Sequence, residues 1–127
     1  MKIEHIAIWT NKLEEMKAFY EKYFNGKSNQ KYINPTKKFE SYFITFEDGA
    51  RIELMQNPEI AAKSAQKTPS GYAHIAISLD SKEKVDKIAQ TLKADGYEIQ
   101  SGPRVTGDGY YECCFSDPDK NSVEITI

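Results

Sequence analysis

The chain has two histidines, and each heads nearly the same pentapeptide: His5-Ile6-Ala7-Ile8-Trp9 and His74-Ile75-Ala76-Ile77-Ser78. Alternating segments of this kind read as strands, so each imidazole projects from the face opposite its isoleucines. A glutamate follows each histidine at long range, Glu53 48 positions after His5 and Glu124 50 positions after His74. Glu53 sits between Ile52 and Leu54, and Glu124 between Val123 and Ile125, so period two turns both carboxylates away from their apolar neighbours. Two imidazoles and two carboxylates on one buried face are costly unless paired, hydrogen-bonded or bound to a metal. As a donor set they suit Zn, Ni, Co, Mn or Fe with water in the open positions. A degenerate site that takes an organic ligand without metal is the alternative reading.

A duplicated unit must position these groups. His5 and His74 are 69 positions apart, Gly26 and Gly96 70, and Glu53 and Glu124 71, so the landmarks of the two halves keep register within two residues. In the first half, residues 3–10 read as a strand, with Asn11 able to cap a helix from Leu13 to about Phe24. Leu13, Met16, Phe19, Tyr20, Tyr23 and Phe24 form the helix's apolar stripe, and Asn25-Gly26 ends it. The polar segment 27–38, with Pro35, reads as an irregular or weak strand followed by a loop. Strands at 39–46 and 50–56 flank the turn Glu47-Asp48-Gly49.

The segment 57–71 breaks the pattern with two prolines and reads as a linker, with a short helix around Glu59 to Gln66. The second half restarts with a strand at 72–79. Asp80-Ser81 caps a helix from Lys82 to about Lys93, with Val85, Ile88, Ala89 and Leu92 buried, ending at Asp95-Gly96. Then come a strand near 97–100, a loop from Ser101 to Gly109, a strand at 110–116, the turn Asp117 to Asn121 and a last strand at 122–127. The fold class is α+β: two βαβββ modules in tandem, 1–56 and 72–127.

Composition narrows the function classes. At 127 residues the chain fits one domain with a shared core, and 39% hydrophobic with 28% charged residues is ordinary for a globular protein. A net charge of -2 offers no basic footprint for nucleic acid or an anionic membrane. No apolar run approaches the roughly 20 residues of a membrane helix, and the first residues enter a strand pattern with no signal-peptide h-region. A cytoplasmic location is therefore expected. Cys113 and Cys114 are adjacent in a strand, so they point to opposite faces; without a C-x-x-C spacing both read as packing residues.

The whole chain resembles the vicinal oxygen chelate superfamily, and within it the small bacterial glyoxalase I-like proteins. The likeness rests on both modules, on the Asp117-Pro118-Asp119 turn before the last strand, and on His5, Glu53, His74 and Glu124, which match the family's ligand positions. It implies a half-barrel around a divalent metal, zinc or nickel first, with cobalt, manganese or iron as alternatives. It also implies glyoxalase-type chemistry, in which a hemithioacetal loses a carbon-bound proton to give an enediolate whose vicinal oxygens chelate the metal. By family position Glu124 is the base, with Glu53 a ligand and partner in reprotonation.

The resemblance further suggests a homodimer with shared sites and a small-molecule substrate, which could be a thiol conjugate. The other activities it brings into view are an Fe(II) extradiol-type dioxygenase, a thiol transferase acting on an antibiotic, and a metal-free drug-binding protein. Glutathione-using relatives carry arginine where this chain has Trp9, and a neutral indole cannot replace a guanidinium fork. Asn57 stands where the family often has a glutathione-contacting asparagine, and Arg104 is a candidate source of positive charge. Trp9, Tyr42, Phe43, Tyr110 and Tyr111 are candidates for an aromatic pocket wall.

Overall fold

Apolar residues at helical spacing from Leu13 and at period two in the flanking strands each need a partner surface, and each half of the chain supplies its own. In the computed structural model, residues 4–60, 72, 74–107 and 109–127 are described. The chain divides into two compact units, Met1–Lys67 and Thr68–Ile127.

The first unit runs β1 (His5–Trp9), α1 (Leu13–Phe24), β2 (Lys27–Ser28), β3 (Tyr32–Asn34), β4 (Phe39–Thr45) and β5 (Arg51–Gln56). Its sheet has the order β1-β5-β4-β2, with β3 also on β4; β1 and β5 are parallel and the other pairs antiparallel. Leu13, Met16, Phe19 and Tyr20 of α1 are buried with Tyr42, Ile44, Ile52 and Leu54 of the sheet. The helix ends because Asn25 takes the left-handed conformation (φ 54°). Gly26 then passes so close to the sheet that an added Cβ would meet the Ile44 side chain at 2.5 Å.

The second unit runs β6 (His74–Ser78), α2 (Lys82–Ala94), β7 (Ile99–Val105), β8 (Tyr111–Ser116) and β9 (Ser122–Thr126). Its order is β6-β9-β8-β7, again with the first and last strands parallel. Val85, Ala89 and Leu92 of α2 are buried with Cys113, Phe115, Val123 and Ile125. The Ser81 hydroxyl caps α2 by accepting from the Lys84 amide, and the Asp117 carboxylate closes the last turn by accepting from the Asp119 and Asn121 amides.

Three expectations from the sequence change. Asn11 does not cap α1: the Thr10 hydroxyl accepts from the Lys12 amide, and the Asn11 amide group donates to the Ile60 carbonyl instead. The weak segment 27–38 forms two short strands, β2 and β3, both on β4.

The loop expected from Ser101 is strand as far as Val105. The pairing of β7 with β8 shifts register between Ser101 and Arg104, and this irregularity absorbs Gly102 and Pro103, which would interrupt a regular ladder. Gly102 has φ 83°, and a Cβ there would meet the Glu112 carbonyl oxygen at 2.4 Å, so the close approach needs glycine. Of the expected helix from Glu59 to Gln66, residues 61–66 lie outside the described residues, and Glu59 is in a turn.

Candidate functional site

Strand pairing carries the histidine echo into three dimensions. In the first unit Ala7 is registered with Glu53, and in the second Ala76 with Glu124, so each glutamate sits one step along its sheet from a histidine two residues earlier on the neighbouring strand. The result is the same pair twice: His5 Nε2 lies 3.8 Å from Glu53 Oε2, and His74 Nε2 lies 3.8 Å from Glu124 Oε2. The glutamate side chains are about one-sixth exposed and the imidazoles nearer one-half, so these donors edge an accessible face. At 3.8 Å neither pair makes a hydrogen bond. Two donors bonded to one ion at about 2.0–2.2 Å can stand up to about 4.4 Å apart, so each pair taken by itself has the spacing of two ligands of a divalent cation.

The surroundings of the two pairs differ. In the first unit the Phe43 ring meets the His5 imidazole edge-on at 5.4 Å, and the Arg51 guanidinium lies 4.2 Å from the Phe43 ring centre. His5 Nδ1 is hydrogen-bonded to Glu4 Oε2, and Arg51 donates to Glu4 Oε1. These two partners hold the Glu4 carboxyl below the usual range, the His5 hydrogen bond contributing most.

In the second unit, the position 71 residues after Phe43 is Cys114, registered directly opposite Glu124. Its thiol donates to Glu124 Oε2 over 3.7 Å, and Glu112, Cys114 and Glu124 each bring a donor atom within 4.8 Å of the others. The reading of both cysteines as packing residues therefore holds for Cys113, which is fully buried, and misses Cys114. Burial pushes the Cys114 thiol up, so beside Glu124 it is a neutral donor.

Other expected contacts sort by face. Trp9 shares the His5 face, is half exposed, and meets Phe39 edge-on at 6.0 Å. Tyr42 does not line this face: it is registered with buried Leu54, and its hydroxyl donates to Glu14 of α1. Tyr111 likewise turns to the helix side, donating to Asp86 of α2 at 2.6 Å. Tyr110 is exposed beyond the end of β7. Arg104 is exposed, 3.6 Å from Glu112, and the Asn57 side-chain oxygen accepts from the Glu59 amide. Among these, the aromatic side chains that share a face with the first His–Glu pair are Trp9 and Phe43.

Cys113 gives the fold a pH dependence. Burial, with a smaller push from the neighbouring Cys114, Asp86 and Glu112, raises its thiol to about 11. Below the ordinary thiol range both folded and unfolded chains keep the proton. As pH rises from about 9 towards 11 the unfolded chain releases it first, so stability falls by about 2–3 kcal/mol from this group. Urea unfolding between pH 8 and 11 measures the loss, and a Cys113→Ala variant, less stable at neutral pH, shows a correspondingly shallower decline.

Comparison with known proteins agrees with this architecture. The family model of the Glyoxalase/Bleomycin resistance protein/Dioxygenase superfamily matches residues 2–125. The uncharacterized protein YqjT of Bacillus subtilis (strain 168) is 25% identical over 127 residues, covering 97% of this chain and 96% of the relative. The trypanothione-dependent glyoxalase I of Leishmania major has a similar structure, with a TM-score of 0.79 at 20% identity over 99% of this chain and 86% of that one. A glyoxalase family protein of Enterococcus faecalis gives 0.81 at 21% identity, over 99% and 97%. At these identities the structures speak for the fold, while the family match spans both units and both His–Glu pairs. The chain belongs to the Glyoxalase/Bleomycin resistance protein/Dioxygenase superfamily.

Proposed function

We propose that the protein is a glyoxalase I-like lyase or isomerase that depends on a divalent cation held by His5, Glu53, His74 and Glu124. The observation that carries this reading is the twofold recurrence of a histidine Nε2 and a glutamate Oε2 at 3.8 Å on equivalent strands. A chance pairing on one sheet would have no reason to recur on the other with the same register. Zinc or nickel is the preferred ion, because imidazole and carboxylate donors suit both.

When bound, the cation supplies Lewis-acid stabilisation of the oxyanion that develops as a hemithioacetal loses its carbon-bound proton. Glu124 accepts that proton and returns it to the adjacent carbon, and Glu53 assists the return. The Cys114 thiol, donating to Glu124, orients the carboxylate. Trp9 and Phe43 supply an apolar wall, Asn57 an amide for a carbonyl or carboxylate of the thiol portion, and Arg104 a positive charge tempered by Glu112. Assembly as a homodimer with shared sites belongs to the same reading.

The identity of the thiol is a separate matter. The Leishmania major glyoxalase I is trypanothione-dependent, so thiols differ within the fold. With Trp9 on the face of the first pair, the preferred thiol is one whose recognition does not require an arginine there.

The test is turnover of methylglyoxal with a panel of thiols by protein loaded separately with Zn, Ni, Co, Mn or Fe. Metal-dependent conversion of the hemithioacetal to a 2-hydroxyacyl thioester is expected for at least one combination. Inactivity across the panel, or consumption of oxygen with a catechol by the iron form alone, removes the glyoxalase assignment.

A further inference from the structure

The two histidines are equivalent by repeat, yet among the described residues an anionic neighbour on the far ring nitrogen is found at His5. Residue 4 is glutamate, whereas the residue before His74 is Ala73. The Glu4 carboxylate lies within hydrogen-bonding distance of His5 Nδ1 through Oε2 and accepts from Arg51 through Oε1. Arg51 is itself registered beside His5 on the adjoining strand, and its guanidinium lies against the Phe43 ring that also meets the imidazole edge-on. Glu4, Arg51 and Phe43 thus contact one another or the His5 ring, and Glu53 faces its other nitrogen at 3.8 Å.

We infer that Glu4 is a positioning residue for a cation at His5: by taking the Nδ1 proton it fixes the tautomer in which Nε2 carries the lone pair and points towards Glu53. The inference deepens the proposed metal site and rests on that reading for its consequence, although the tautomer itself does not. A neutral imidazole has one N–H and one lone pair, and only the nitrogen with the lone pair can bond a metal. An ionised carboxylate can only accept, so a Glu4 held by Arg51 demands the proton on Nδ1. Partners of this kind also raise ligand basicity, and their loss ordinarily weakens metal binding 10- to 100-fold. Arg51 keeps the glutamate ionised and in place, while the edge contact with Phe43 limits rotation of the ring. His74 has no such carboxylate on the preceding residue and serves as an internal comparison.

The experiment uses full-length protein as wild type, Glu4→Ala and Glu4→Gln, with two readouts. The first is the His5 and His74 ring-nitrogen NMR shifts in zinc-free protein, at a pH above the ordinary histidine range. The expected wild-type result is His5 protonated on Nδ1. Glu4→Ala releases this preference, and Glu4→Gln, whose side-chain oxygen still accepts, retains it; His74 is unchanged throughout.

The second readout is zinc affinity by chelator competition. It is expected to fall about 10- to 100-fold in Glu4→Ala and by less in Glu4→Gln. A His5 tautomer that is Nε2–H in the wild type, or unaltered in Glu4→Ala, overturns the inference, as does unchanged zinc affinity in Glu4→Ala. A wild type that binds no zinc defeats the proposed metal site instead, and the NMR comparison then decides the role of Glu4 alone. Glu4 is exposed, so unchanged backbone spectra of the variants are expected.

Discussion

If Glu124 is the proposed base, replacing it with glutamine is expected to lower turnover of the hemithioacetal by about 10²- to 10⁴-fold, the range that a positioned general acid–base group contributes. Glutamine has nearly the shape of glutamate and can still accept a hydrogen bond from Cys114, so β8 and β9 keep their pairing. What it cannot do is take a proton from carbon. The loss therefore falls on kcat more than on KM, since the substrate contacts proposed for Trp9, Asn57 and Arg104 lie on other side chains. The same change at Glu53 is expected to have a smaller effect, because the proposal gives both glutamates to the cation but only Glu124 the abstraction of the proton. Steady-state kinetics of the two variants beside the wild type, each at saturating metal, provide the comparison. A Glu124→Gln enzyme within tenfold of the wild type places the base elsewhere.

Phe115→Ala destabilises the protein by about 3–5 kcal/mol, the usual cost of truncating a fully buried phenylalanine. Phe115 is 0% exposed and is the last residue but one of β8, registered with Ile99 on one side and Val123 on the other. The helix packed over this sheet buries only Val85, Ala89 and Leu92, so few large side chains can move to fill the space. Urea unfolding with matched slopes gives the difference. The consequence reaches the site, since the residue before Phe115 is Cys114 and the strand beside it carries Glu124. A loss below 1 kcal/mol would show that the second unit repacks freely around the gap.

Much of this arrangement is legible in the sequence because short-range patterns fix it. The Leu13–Phe24 helix and the Glu47 to Gly49 turn depend on local periodicity, the spacing of His5, Glu53, His74 and Glu124 on the internal repeat, and the structure has each element within a residue or two. Strand parity separates Tyr42 from Phe43, since adjacent residues cannot share a face, so the two do not line one pocket wall together. Cys114 was hidden for a different reason. Its own segment gives the face, but its position opposite Glu124 depends on the β8–β9 register, for which the offset of 71 residues from Phe43 was the available signal. Glu4 precedes the first strand, and its partner Arg51 is 47 residues away, so no sequence window contains the interaction. The strand character of Ser101 to Val105 was masked by Gly102-Pro103, which a register shift accommodates.

In the proposed function His5, Glu53, His74 and Glu124 hold one divalent cation. Calorimetric titration of zinc or nickel into metal-free protein, with His5→Ala and His74→Ala beside the wild type, tests it most directly. One cation per chain in the wild type and markedly weaker binding in both variants are expected; absence of binding, or affinity unchanged by either substitution, would contradict the proposed site.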